Sequence, residues 1–349
     1  MASLYPRVVT RQVSWISSRP TTSGPDAATA LERWWGLSGK VGDLPSERDR
    51  NVLVHDDTGL PAYILKIANL AEDPAFLECQ HGAMARLARA GVPVQQVIPT
   101  LDGRDLADIG DPGPPWARLL TYLPGLPLAG VAAPADALWA DLGRTMGRSS
   151  TALLEYDHPA SHRDFQWDVQ RAVIVIEAGL GDVTDRESRS LLRRALAVVR
   201  GQLQPRMARL RRSVIHNDAN DHNVLVDDGA TRVVGLLDFG DMVHSVTAQE
   251  AAVAAAYAMF DREEPLPVLA AIVAGFDDAC RLTSAELDAL PYLVLARLGA
   301  SVSISAHQAG LDPDPYLRVS EAPAWALLAH LDDMPADAMR DAIRDAVGR

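Results

Sequence analysis

Lysine is almost missing from this chain: of 33 lysines and arginines among 349 residues, only Lys40 and Lys66 are lysines. Arginine fills the surface roles, so a lysine that persists inside an apolar strand points to a chemical requirement. Cysteine is equally scarce. Cys79 and Cys280 lie far apart without metal-type spacing, which excludes a disulfide framework and a zinc site and fits a reducing cytoplasm. Positive charge is short as well, with a formal net charge of −13 and an isoelectric point of about 5.1. A nucleic-acid backbone or an anionic membrane would need a basic face, so both are excluded as partners, whereas a cationic small molecule suits the field. The first residues, MASLYPRVVTRQVSW, lack the charged flank and apolar core of a signal peptide. No apolar run approaches the ~18 residues of a membrane span; the longest, AVAAAYAMF at 252–260, suits a buried helix.

What remains is ordinary globular material, 48% hydrophobic and 23% charged, in a length that suggests about two lobes at roughly 150 residues each. Residues 1–24 are polar, carry SSRPTTSGP and read as an irregular arm. PDAATALERWWG has a proline near its start and a glycine stop, which predicts a helix. NVLVHDDTGLPAYILKI predicts two strands around a DDTG turn, with Lys66 on the face opposite Leu65 and Ile67. DPAFLECQHGAMARLARAG predicts a helix, and PVQQVIPTLDGRDLADI and WARLLTYLPG predict further strands, with LDGR as a hairpin turn. Up to residue 122 the pattern is a small α+β lobe. From 135 onward it is helical, interrupted at 213–240, where SVI, NVLV and VVGLLDF are short strand candidates.

The interruption carries the chemistry. In VIHNDANDHNVLVDD, residues 214–228, Asp218 and Asn223 are five positions apart in a non-helical stretch. Asp238 then ends an apolar strand, where an aspartate is a poor choice for packing. Phosphoryl transfer needs a carboxylate to accept or orient a hydroxyl proton, plus oxygen ligands for the magnesium that bridges nucleotide phosphates. Asp218, Asn223 and Asp238 supply these groups. An Asx-rich loop by itself is a turn, and Asp-Phe-Gly alone arises by chance; their combination with Lys66 upstream favours a site. Asn217, Asn220, Asp221, Asp227 and Asp228 read as ordinary turn residues.

HNDANDHN and LLDFG resemble the catalytic loop and Asp-Phe-Gly element of the kinase-like superfamily. Without the Arg and Lys that protein kinases carry in that loop, and with helical flanks, the chain is more similar to the aminoglycoside phosphotransferase and choline kinase family. IHNDANDHNVLV with LPSERDRNVLV most resembles its hydroxylysine kinase-like branch, over residues 26 to 310. The resemblance implies a two-lobed, protein-kinase-like α+β fold. Residues 1–122 would form a nucleotide-binding lobe of antiparallel sheet and a helix. Residues 123–349 would form a mainly helical lobe holding the catalytic loop (214–226), the Asp-Phe-Gly-like element (238–240) and the acceptor pocket. By position, Asp218 would be the catalytic base, Asn223 and Asp238 would bind Mg2+, and His216 would brace the loop. Lys66 would grip the α and β phosphates of ATP or GTP, and the base would lie against Thr121 to Leu123. Residues 44–51 would cover the phosphates through Ser46, Arg50 and Asn51, although the turn lacks the glycines of a protein-kinase loop. The carboxylate that pairs with the lysine would be Glu78. At 100° per residue, however, the apolar stripe Leu77, Met84, Leu87 and Ala88 contains Gln80 and leaves Glu78 pointing away, so both stay candidates.

Asp241, Asp168 and Glu250 are candidates to hold an acceptor amine and Trp167 to pack over it; a helix cap, a solvated face or core packing competes for each. Arg297, inside the apolar helix YLVLARLGA, predicts an internal ion pair, with Glu250 as the suggested partner. His158, His162, His244 and His307 show no ligand spacing. The expected reaction is transfer of the γ-phosphoryl group of ATP or GTP to a hydroxyl of a cationic, amine-bearing metabolite such as a hydroxylysine-like amino alcohol. An antibiotic O-phosphotransferase, acting on an aminoglycoside or nucleoside, would keep the chemistry and change the acceptor. A nucleotide-binding pseudokinase is disfavoured by the presence of every catalytic position, and a protein-substrate kinase by the lack of an activation segment after Gly240.

Overall fold

Alternating apolar residues fix one face of an antiparallel sheet in the computed structural model of this chain, which describes residues 27–46, 48–110, 115–311 and 320–349; the expected arm 1–24 lies outside them. The strands are β1 (Val41–Leu44), β2 (Arg50–His55), β3 (Pro61–Ile67), β4 (Val97–Ile98), β5 (Ala107–Asp108) and β6 (Trp116–Thr121). Their order is β1-β2-β3-β6-β4, with β5 also on β6. Val52, Leu65 and Leu119 lie opposite one another and pack under helix α1 (Ala27–Trp35). Because side chains alternate along a strand, the neighbouring row, Asn51, Lys66 and Arg118, lies on the other face. The DDTG turn forms as expected, with Asp56 Oδ1 accepting from the N–H groups of Thr58 (2.9 Å) and Leu60 (3.0 Å). LDGR turns the chain through Thr100 N–H to Arg104 C=O at 2.8 Å. It does not join a hairpin, since β4 and β5 each pair with β6. Helix α2 (Pro74–Arg89) is capped by Asp73, which accepts from Ala75 N–H, and sends Phe76, Met84 and Leu87 into the large core shared with the second lobe.

That second lobe begins after a linker whose Gly125 has φ 149°; a Cβ there would meet Val234 Cγ2 at 2.8 Å. It contains β7 (Leu126–Pro127), α3 (Asp136–Leu153), α4 (Ala172–Gly179), α5 (Arg186–Val198), β8 (Arg212–Ile215), β9 (Val224–Val226), β10 (Val233–Leu236), β11 (Val243–Val246), α6 (Gln249–Ala258), α7 (Pro265–Ala279), α8 (Ser284–Leu311), α9 (Glu321–Asp333) and α10 (Ala338–Val347). Strands β10, β9 and β7 form one sheet, and β11 pairs with β8. The β8–β9 and β10–β11 connections therefore run side by side, tied by Leu237 N–H to Asn223 C=O at 2.8 Å. Helix α6 is buried on every face, which explains its alanine-rich sequence. Helix α8 is long and apolar enough to cross a membrane by length and composition, although its longest unbroken apolar run is only YLVLA at 292–296; 83% of its most apolar stretch is buried inside the protein. Helices α3 and α7 approach through glycines: a Cβ at Gly143 would lie 2.0 Å from Ile272 O, and one at Gly275 would lie 2.0 Å from Ala140 O. We expect Gly143→Ala to lower stability by about 3 kcal/mol, because backbone cannot yield as a side chain does; the urea unfolding midpoint measures it.

Candidate active site

Asp218 stands on the loop between β8 and β9. Its Oδ1 accepts from Arg297 Nη2 at 3.1 Å, and its Oδ2 accepts from Asn223 Nδ2 at 2.8 Å and Asn220 Nδ2 at 3.1 Å. Burial pushes the carboxyl up to about 7; Asp241 and Asp238 add to the rise, while Arg297 and Asn220 oppose it. A carboxyl group poised near neutrality suits a proton acceptor. Arg297, reaching in from α8, thus pairs with Asp218 and not with Glu250. Its guanidinium lies 4.2 Å from the Trp167 ring centroid and donates to Tyr257 Oη at 3.0 Å.

Glu250, in the first turn of α6, has a different duty from the one expected. Its carboxylate accepts from the N–H groups of Asn217 (2.6 Å) and His216 (3.1 Å), so it anchors the catalytic loop. Burial pushes its carboxyl up to about 7 against those two bonds. Asn217 is no ordinary turn residue either. It is fully buried with φ 67°, a region Asn tolerates. Its Nδ2 donates to Asp241 O at 3.2 Å, and its Oδ1 accepts from Gln249 Nε2 at 2.6 Å. His216 Nε2 bonds Leu237 O at 2.9 Å, and since a carbonyl only accepts, that nitrogen carries the proton. Nδ1 accepts from Asp218 N–H at 3.2 Å. Burial lowers its pKa, so the neutral ring spans both loops without touching the cleft chemistry.

Asp238 also has a positive φ, 54°, a strained setting of the kind found at functional positions. Its Oδ1 accepts from Gly240 N–H at 2.9 Å and its Oδ2 from Lys66 Nζ at 3.2 Å. Burial pushes this carboxyl up, but Lys66, the Gly240 N–H, Arg48 and Arg118 outweigh it and hold the group well below the usual carboxylate range. Asn223 spends its Nδ2 on Asp218, and its Oδ1 accepts nothing from the described residues. An anionic carboxylate with a 45% exposed side chain and an unspent amide oxygen are hard donors that fit magnesium.

On the nucleotide side, α2 turns Gln80 inward and leaves Glu78 exposed, and neither bonds Lys66, whose ion-pair partner among the described residues is Asp238. The stripe of Leu77, Met84 and Leu87 fixes that rotation. Asn51 lies directly across from Lys66. Arg50, one residue earlier, ties the β1–β2 hairpin through Asp43 at 2.8 Å and so is committed away from the expected phosphate contact. Ser46 is half-buried in the turn between those strands. Thr121 is spoken for: its N–H donates to Gln96 O, its Oγ1 accepts from Gln96 N–H and its C=O accepts from Gln95 Nε2. Leu123 keeps N–H and C=O groups that no described residue takes up.

On the acceptor side, Asp241 pairs with Arg48, which crosses from the turn before β2. Asp168 is buried and accepts from Ser245 Oγ and from Gln170 N–H and Nε2, a cap rather than a free carboxylate. Trp167 stacks on Arg297. Arg163 escaped the sequence reading: it donates to Gly240 O (2.6 Å) and Met242 O (3.1 Å) between the rings of Phe76 and Phe165. His162 and His244, distant in sequence, stack at 4.3 Å beside Asp157, while His158 accepts from Ala160 N–H and His307 pairs with Asp182.

A small antiparallel lobe over a helical one, with a loop aspartate, an asparagine five residues on and an Asp-Phe-Gly element whose aspartate meets a strand lysine, defines a kinase-like phosphotransferase. The chain belongs to the phosphotransferase enzyme family, whose pattern matches residues 43–290. It is similar to the hydroxylysine kinase of Mus musculus, 31% identical with 94% of each chain covered, and to that of Xenopus laevis, 29% identical with 93% of each covered. Among solved structures it shares its fold with the amicoumacin kinase hAmiN in complex with AMP-PNP, Ca2+ and Ami, at a TM-score of 0.64 and 16% identity, over 91% of this chain and 92% of that one. It is an enzyme, a small-molecule kinase that transfers phosphate to a hydroxyl.

Proposed function

We propose that this kinase uses ATP or GTP with magnesium, in the cytoplasm, to phosphorylate the hydroxyl of a hydroxylysine-like amino alcohol. The choice of acceptor is carried by the relation to hydroxylysine kinases over nearly the whole chain. Asp218 orients the acceptor hydroxyl and takes its proton on a carboxylate oxygen as the oxygen bonds the γ-phosphorus and the bond to the leaving nucleoside diphosphate breaks. Arg297 and Asn223 hold that carboxylate in place. Asn223 and Asp238 would hold the magnesium ion, which when bound neutralises charge on the nucleotide phosphates. Lys66 meets the α and β phosphates as a point charge, Ser46 and Asn51 lie at the covering turn, and Leu123 reads the base through its free backbone groups. Asp241 offers the acceptor amine a carboxylate once Arg48 releases it.

An acceptor panel tests the reading, with hydroxylysine, lysine, simple amino alcohols, aminoglycosides and nucleoside antibiotics each offered with ATP and with GTP. Hydroxylysine should be the preferred acceptor and lysine, which lacks the hydroxyl, should take no phosphate. A higher kcat/KM for an antibiotic would replace the proposed acceptor.

A further inference from the structure

The sheet face turned away from α1 carries a row of polar residues. Register sets Asn51 on β2 opposite Lys66 on β3, and Lys66 opposite Arg118 on β6, so neighbouring Cβ atoms in the row lie about 5 Å apart. Lys66 reaches Asp238 across the cleft. Arg118 is only 3% exposed, yet its guanidinium makes no hydrogen bond or ion pair with any described residue, and its Nη1 is sealed from solvent without a partner. Asn51 Oδ1 is in the same condition. Burial draws the Arg118 pKa down, and Asp49, Asp238 and Glu72 compensate through space without contact. The face of α2 towards the large core gives no charge to balance it: Gln80 is uncharged, and His81, whose two ring nitrogens are buried without partners, is held neutral by burial and by Arg118 itself, its pKa pushed down to about 3.

An unpaired guanidinium inside a central strand is an expensive arrangement; Asp49, Asp238 and Glu72 act on it through space, but no anionic oxygen bonds it. We infer that Arg118 is a second phosphate-binding cation, taking oxygens of the nucleotide's phosphate chain beside Lys66, with Asn51 completing the row. The inference rests on the nucleotide-dependent reading above and adds a residue to it. With no helix carboxylate on Lys66, the lysine's charge is balanced by Asp238, and Arg118 supplies the additional charge that a polyphosphate needs. A planar guanidinium also grips two phosphate oxygens at once, which an ammonium does not.

Calorimetric titration of wild type, Arg118→Met and Arg118→Lys with ATP, ADP and AMP in the presence of Mg2+ tests this, alongside melting curves with and without ATP. Arg118→Met should bind ATP more weakly by a factor on the order of 10 to 100 and AMP with little change, and Arg118→Lys should fall between. Without nucleotide, Arg118→Met should melt at or above the wild-type temperature, because a buried charge that no neighbour bonds has been removed, while its stabilisation by ATP shrinks. Unchanged ATP affinity, with or without a lower melting temperature, would assign Arg118 a structural role and overturn the inference. Equal losses for ATP and AMP would overturn it too. Failure of the wild type to bind any nucleotide would remove the kinase reading and this inference together, and that result is visible in the wild-type arm alone.

Discussion

Asp218→Ala is expected to lower kcat by about 1,000-fold or more while nucleotide affinity stays within a few-fold of wild type. A positioned base contributes roughly 100- to 10,000-fold, and this carboxylate has no evident substitute. Glu250 is spent on two backbone N–H groups, Asp168 on a cap, and Asp238 on Lys66. Asp241 lies close enough to raise the Asp218 pKa but is paired with Arg48. The Lys66 row on the opposite lobe is untouched by the substitution, so nucleotide binding should survive. Steady-state turnover with a nucleotide titration measures both quantities; turnover within tenfold of wild type would remove Asp218 from the role of base.

Arg297→Met should move the acidic limb of the kcat profile to higher pH, by about one pH unit. The sign follows from charge. Burial and Asp241 raise the Asp218 pKa, and Arg297 is the largest influence holding it down. Without the cation, the carboxyl rises further above about 7, and the base, active only when deprotonated, is lost at neutral pH and regained in alkali. A limb displaced that far should lower the rate at pH 7 by roughly fivefold. Methionine keeps an unbranched apolar stem, so packing is disturbed less than charge, and Arg297→Lys should restore most of the wild-type profile. A uniform loss at every pH would assign Arg297 to packing alone.

Much of this was legible in the chain because it is local. Alternation in NVLV and YILKI, the Asp73 cap of α2 and the Asp218 to Asn223 spacing are each set within a few residues. The helical spacing of Leu77, Met84 and Leu87 pointed to Gln80 as the inward residue but left Glu78 open beside it, since that choice depends on where α2 begins. Long-range partners were not legible. Arg297 announced itself as an arginine in an apolar helix, but whether α8 presents it to Glu250 or to Asp218 depends on how α6 and α8 pack beneath the loop. Asn217 looked like its polar neighbours and proved buried, since nothing nearby shows that Glu250 and Gln249 close over it. Arg118 stands out within WARLLT, yet its place beside Lys66 comes from the β3–β6 register, set by residues some fifty positions apart. The short strands β4 and β5 mimic a hairpin in sequence because the turn between them is real and their shared partner β6 lies further on.

The central claim is that Asp218 activates a hydroxyl on a small amine-bearing acceptor, and the hydroxylysine and lysine pair tests it most directly, since the two differ only by that hydroxyl. Phosphorus NMR of each incubated with ATP, Mg2+ and enzyme should show a new phosphate monoester with hydroxylysine, none with lysine, and none with either when Asp218→Ala replaces the wild type. Phosphate on lysine, or monoester formed at an undiminished rate by Asp218→Ala, would contradict the account.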